Sequence, residues 1–431
     1  MNATIKILTV FLGITFLVSC TNPKKQITDS KDYNAFLEVK ENEDLDFTLQ
    51  EIKFWETKYK ADTIQKSYLG IIASKYSALF QFTGNINHLY HAEKLLILAN
   101  EARNYNSVGS LRALARNYIS QHRFKEALVL AKKAFSIGEG RIESKKLLFD
   151  VQMELGNYNE ALMNLEATKD MNDFDYLIRL AKWNDHKGDL DTAIRFMEKA
   201  KKIAEQENNK LLKVWSYSNI ADFYGHAGRI QDSYDHYIMT LKIDPNNAYA
   251  KKGIAWIVFS HERNTQEAKR IITAIEKSHN TPDLLLLKSE IASFEQNKLD
   301  AEKYQEDYFE SLAKKNYGAM YNKYNALIYA DNQLTFDRAL EIAKEEVDHR
   351  PTPESFDLLA WAYLKKGDTK NALAIANDKV VGKTFEPHIQ YHLAMIYKAN
   401  NQLDKVASLK KELESSIYEL GPEFESKIKE L

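Results

Sequence analysis

Residues 110–138 read SLRALARNYISQHRFKEALVLAKKAFSIG. Leu111, Leu114, Ala115 and Tyr118 fall at i, i+3, i+4 and i+7, the spacing of one apolar helical face. After a short polar break the pattern resumes through Ala127 and Ala134, so the stretch reads as two amphipathic helices joined by a bend. Working outward, the small residue that opens the second helix recurs as Ala92, Ala127, Ala161, Ala193, Ser233, Ala268, Ala301, Ala339, Ala372 and, less well, Val406. The intervals are 35, 34, 32, 40, 35, 33, 38, 33 and 34 residues. Paired helices at a period near 34 make an array in which each unit buries its apolar face against its neighbours.

The other units carry the same marks. One has Tyr217, Ile220, Ala221, Tyr224, Gly228, Ser233 and Tyr237 and closes on Pro245. Another, opened by Pro351 and Pro353, has Phe356, Leu359, Ala360, Tyr363, Gly367 and Ala376, and the last has Leu393, Ala394 and Tyr397. Gly156, Gly188, Gly228 and Gly367 stand at the bend between helices. In these residues the chain resembles the tetratricopeptide-repeat (TPR) family. The resemblance implies an all-α fold, a TPR-like α-α solenoid coiled as a right-handed superhelix of about ten helix pairs. Its physical sense is plain: small residues at the crossing let two backbones approach, and Gly takes the left-handed conformation that ends the first helix. The units around Ala268 and Ala301 lack the Gly, and Ser289 stands where a small apolar residue is usual.

Composition agrees with helices. Gly and Pro together number 22 of 431 residues, about 5% against roughly 12% in an average chain, too few for a propeller or sandwich. A net charge of −2 gives no global positive field, so nucleic acid is not an expected partner. With 44% hydrophobic and 28% charged residues the chain can bury a core.

The single cysteine, Cys20, closes the N-terminal run MNATIKILTVFLGITFLVSC. One basic residue, Lys6, precedes an apolar run from Ile7 to Val18, which suits a secretory signal and is short for a permanent span. Leu17-Val18-Ser19-Cys20 resembles a bacterial lipobox; an ordinary signal peptide or an uncleaved anchor are the alternatives. The resemblance implies lipidation of Cys20, a covalent lipid and no other cofactor, and attachment to the membrane through it. Thr21 follows the cysteine where an inner-membrane retention signal would have Asp, which favours the outer membrane facing the periplasm. The expected organisation is a signal peptide (1–19), the lipidated cysteine with a polar tether (20–44), a helical cap with a first divergent repeat (45–103), the TPR array (104–414) and a C-terminal capping segment (415–431).

Catalytic and metal motifs are lacking. His88 with His91, and His388 with His392, have helical spacing but no third ligand nearby in sequence, so no metal site is expected. No nucleophile elbow, phosphate loop or dinucleotide fingerprint occurs, and an enzyme is not expected. A TPR array offers a concave surface instead. The repeat register puts Arg112, Arg116, Arg179 and Lys182 there in early repeats and Trp361, Tyr391 and Met395 in the last two. These would make a basic end for a carboxylate or acidic peptide and an aromatic end for an apolar anchor, with solvated charges and edge aromatics as the bland alternative. The expectation is a membrane-anchored, non-catalytic adaptor for another envelope protein or peptide segment. A glycan- or nutrient-binding outer-membrane lipoprotein built on TPR helices is the alternative.

Overall fold

A computed structural model describes residues 26–38 and 41–431; Cys20 and the lipobox lie outside the described residues. Among the described residues there is no strand, and helices pack in consecutive antiparallel partners. The first five pairs are Ser67–Thr83 with Asn87–Glu101, Val108–Ser120 with Phe124–Ile137, Arg141–Glu154 with Tyr158–Glu166, Phe174–His186 with Leu190–Gln206, and Lys210–His226 with Ile230–Ile243. The next five are Ala248–Trp256 with Thr265–Glu276, Pro282–Phe294 with Lys298–Lys314, Asn322–Ala330 with Phe336–His349, Pro353–Lys365 with Thr369–Ile375, and Pro387–Ala399 with Leu403–Leu413. The fold is the all-α, TPR-like solenoid, here with ten pairs, numbered 1 to 10 below.

The small residues that set the repeat lie at the helix crossings. Ala92, Ala127, Ala161, Ala193, Ser233, Ala268, Ala339 and Ala372 have no exposed surface, and Ala301 and Val406 are 6% and 3% exposed. A leucine at such a crossing would force the two backbones apart, at a cost of about 1–3 kcal/mol. The bends keep their left-handed residue even where Gly is missing. Gly156 has φ +71°, while Arg263 and Gln296 hold the same place in pairs 6 and 7 at +64° and +58°. Ser289 fits because its hydroxyl donates to the Ala301 carbonyl at 3.0 Å, joining the two helices of pair 7.

The segment expected to be a free tether is partly a docked element. The helix Ser30–Leu37 buries Tyr33 and Leu37 in a cluster with Tyr234, Ile238, Ile271 and Ile275 of pairs 5 and 6. Just before it, the Glu262 carboxylate accepts the N–H groups of Ile27 and Thr28 at 2.8 and 2.7 Å. The physical reason lies in the sequence: Tyr33, Phe36 and Leu37 share one helical face, and Tyr33 adds a hydroxyl that donates to Glu267 at 2.8 Å. The helix Glu43–Ala61 packs on the first helix of pair 1. At the other end, Ile417–Leu420 and Phe424–Lys429 bury Leu420 and Ile428 against Ala394 and Leu413. Among the described residues no helix is long and apolar enough to cross a membrane.

The superhelix closes on itself. The Asn280 amide donates to the Thr83 carbonyl at 3.2 Å, the Tyr90 hydroxyl to the Asn316 carbonyl at 2.6 Å, and Arg350 pairs with Glu154 at 3.2 Å. At Gly156 the approach is so close that a Cβ would stand 2.8 Å from the Pro351 carbonyl oxygen. Bends of the early pairs thus press on the connections between later pairs, and the concave side becomes an interior.

Candidate binding site

The first helices of pairs 5 to 10 turn polar residues toward that interior and enclose, with the C-terminal segment, a cavity of about 930 Å³. The segment Ile417–Leu420 crosses it. The Trp256 indole and the Ser260 hydroxyl both donate to the Tyr418 carbonyl, at 3.1 and 2.6 Å.

Nine carboxylates line the cavity against two lysines, Lys252 and Lys323. Five are engaged within the protein. Asp222 accepts the Tyr237 and Tyr249 hydroxyls, Asp283 pairs with Lys252 at 2.7 Å, and Asp331 with Lys365 at 2.9 Å. Glu423 pairs with Lys427 at 3.0 Å, and one oxygen of Asp357 meets His392 Nδ1 at 2.7 Å. The carboxylates of Glu290, Glu354, Glu386 and Glu419 line the cavity and make no hydrogen bond or ion pair with a described residue.

Enclosure and mutual repulsion act on these groups. Burial first, with Glu423 adding, pushes the Glu290 carboxyl up to about 8. Burial also raises Glu419 against the opposing His226, with Glu386 and Asp185 adding, and raises Asp222 despite its two hydroxyl donors. Asp283 goes the other way: against burial, Lys252 holds it below its usual value. His388 opens onto the same lumen and stays neutral, because burial, then His392, Lys323 and Lys427, push its imidazole down. His392 lies flat on Trp361, ring centres 4.0 Å apart. Among the described residues no group of three or more His, Cys, Asp or Glu is placed to hold a metal ion.

None of the seven side chains singled out on the sequence lines this cavity. Arg179, with its side chain 13% exposed, is held by Asp150 at 2.7 Å and by the Lys146 and Asp175 carbonyls. Lys182 pairs with Glu154 at 2.8 Å, and Arg112 donates to the Gly140 carbonyl at 3.0 Å. Against the upward push of burial, Lys182 and Arg350 keep Glu154 ionised, its carboxyl below the usual range. Only Arg116 of that group is exposed with no side-chain partner. Two of the four cations of the expected basic end, Arg179 and Lys182, thus have their charge answered by the neighbouring repeat. At the other end Trp361 is 7% exposed, and Tyr391 and Met395 pack beside it in the wall of pairs 9 and 10. The ring of Phe424 closes over Tyr391, centres 5.0 Å apart. These aromatics are structural packing rather than an open anchor pocket.

No protein-family model matches the chain, and no curated protein matches it. Among solved structures, yeast Tom70 aligns at 12% identity over 90% of this chain and 93% of its own, with a TM-score of 0.38. A tetratricopeptide repeat protein from Parabacteroides merdae aligns at 17% identity over 55% of this chain and 92% of its own, with a TM-score of 0.39. Pseudomonas aeruginosa pilF aligns at 14% identity over 48% of this chain and 97% of its own, with a TM-score of 0.36. These are likenesses of helical-repeat fold and of nothing finer.

The carboxylates that make the cavity were not singled out on the sequence. Asp222, Glu290, Glu354, Glu386 and Glu419 are far apart along the chain, and only closure of the superhelix and return of the C-terminal segment bring them together. The one usable signal was acidic residues recurring in or beside first helices from pair 5 onward.

Proposed function

We propose that this protein is a non-catalytic binding scaffold of a bacterial envelope, anchored by a lipid on Cys20 and engaging its partner through the cavity of pairs 5 to 10. The observation that carries the binding part is the acid-lined interior of about 930 Å³, where the packing of the solenoid leaves four carboxylates without a partner among the described residues. The anchoring part is supported by the sequence Leu17-Val18-Ser19-Cys20. The partner is another envelope protein or a segment of one. The cavity's volume supports a second reading, a lipoprotein that takes a small nutrient or glycan, since it falls in the range of small-ligand sites.

Two measurements test the proposal. Radiolabelled palmitate should enter the wild-type chain and not Cys20→Ala, and the variant should leave the membrane fraction; equal membrane attachment without label sinks the anchor. A photocrosslinker at Tyr324, 43% exposed and on the cavity lining, should give a defined higher-mass protein adduct in cells. If no adduct forms there, while bound glycan or nutrient is recovered with the purified chain, the scaffold reading gives way to the second one.

A further inference from the structure

We propose that the outer face of the helix Glu43–Ala61 rests on a phospholipid bilayer, with Phe47 and Phe54 among the headgroups and Lys53 and Lys58 meeting the phosphates. Phe47, Leu49, Phe54 and Ile64, each 47% exposed or more, fall within residues 47–64, a concentration of apolar surface that single scattered residues do not explain. Phe47, Gln50, Phe54 and Lys58 follow one line along the helix, away from Thr48 and Ile52, which are buried on the side of pair 1. The end of a repeat array that met only water would carry a polar outer face. This end carries two phenylalanines. Where the helix starts it is tied to pair 5: Asp44 pairs with Lys210 at 2.8 Å, and the Asn246 side chain donates to the Glu41 carbonyl at 3.0 Å. Leu211, next to that lysine in the chain, is 78% exposed, and Trp215 one turn on is partly so.

Charge says what covers this face. Three of the helix's acids are engaged within the protein: Asp44 by Lys210, Glu51 by Lys75 at 2.5 Å, and Glu56 by the Tyr76 hydroxyl at 3.0 Å. Glu43 and Asp46 stand in the first turn, where they complement the helix dipole. The ammonium groups of Lys53, Lys58 and Lys60 make no hydrogen bond or ion pair with a described residue, and that of Lys58 lies over the Phe54 ring, 5.5 Å from its centre. Aromatic rings beside lysines whose stems lie on apolar surface and whose charged ends stay in water are the composition of a face that lies in a lipid interface.

Connectivity points to the same cover. The described chain begins at Gln26, six residues after Cys20. From there it is held first by Glu262 of pair 6 at Ile27 and then by Lys210 of pair 5 at Asp44, so the anchor and this helix are tied to adjacent repeats. The proposal rests on the reading of Cys20 as a membrane anchor and adds the surface that the anchored body lays against the lipid.

The test is photocrosslinking in cells with benzoylphenylalanine placed at Phe47, at Phe54 and, as a reference, at Leu334 in the bend of pair 8, which is 93% exposed. Mass spectrometry of the labelled peptides should find a phospholipid adduct at Phe47 and Phe54 and none at Leu334. Lys53→Gln combined with Lys58→Gln should lower the adduct at Phe54 several-fold. Lys132→Gln combined with Lys133→Gln, which removes the same charge from the exposed side of pair 2, should leave it unchanged. Circular dichroism checks that both variants are folded. The proposal is overturned if Phe47 and Phe54 give a protein adduct or none, if Leu334 captures as much lipid, or if the pair 2 variant lowers the yield equally. Palmitate on Cys20 without a lipid adduct at Phe54 sinks this contact and leaves the anchor; an adduct without palmitate sinks the anchor and leaves the contact.

Discussion

Pairs 2 to 4 and pairs 5 to 10 are built on one repeat plan, yet they differ in how completely first-helix charge is answered. In the early pairs a cation on one first helix meets an anion on the neighbouring one: Arg179 with Asp150, Lys182 with Glu154. The later pairs repeat that scheme at Lys252 with Asp283 and Lys365 with Asp331, but the carboxylates of Glu290, Glu354, Glu386 and Glu419 line a shared lumen and make no hydrogen bond or ion pair among the described residues. The early surface is locked by its charges, and the later one is locked only in part.

The largest expected effect falls on the unanswered side. Glu290 is raised to about 8, so between its ordinary value and pH 8 the unfolded chain releases a proton that the folded chain keeps, and stability falls as pH rises through that window. Glu290→Gln removes this loss. It should match the wild type near pH 4 and exceed it by an amount on the order of 4 kcal/mol at pH 8, read from denaturation curves across pH. A variant less stable than wild type at pH 8 would mean that Glu290 is paired after all. On the locked side the sign reverses. Asp150→Asn leaves the Arg179 guanidinium, 13% exposed, without its nearest carboxylate and should cost about 2–3 kcal/mol in urea unfolding. A neutral result would remove the distinction between the halves. The smallest effect belongs to Arg116→Ala: exposed and unpaired, Arg116 should change stability by no more than about 0.5 kcal/mol. A larger loss would put Arg116 into the locked network.

The repeat frame was legible in the sequence because it depends on one local fact, the size of the side chain where two helices cross. Ala127, Ala161 and Ala193 have no room to be larger, so their spacing survives unit after unit. Ser289 looked like a departure, and the structure makes it a variant of the same solution, with a hydroxyl tied to the facing helix. The missing glycines also proved unnecessary: Gln296 takes the left-handed bend at a cost of about 1–2 kcal/mol that the packing of pair 7 absorbs.

The site was not legible, because its residues are joined by closure of the superhelix rather than by the repeat. Arg179 and Lys182 were rightly read as first-helix residues, but their answering acids lie one repeat earlier, at Asp150 and Glu154. A search for opposite charge one period away would have found them. Nothing of that kind predicts that Tyr418 returns to pairs 5 and 6 and roofs the cavity.

The docked N-terminal segment sets a geometric limit. Glu262 grips the chain at Ile27, seven residues after Cys20. Even fully extended, those residues reach roughly 25 Å. With Cys20 in a bilayer, the solenoid would hang on a short leash from a fixed point on its flank, with pairs 5 and 6 nearest the lipid. Energy transfer from a dye in the headgroups to one at Lys31 would measure that clearance. A partner would then find the protein with one side already turned to the membrane, and a ligand would have to come in from the sides the membrane leaves open.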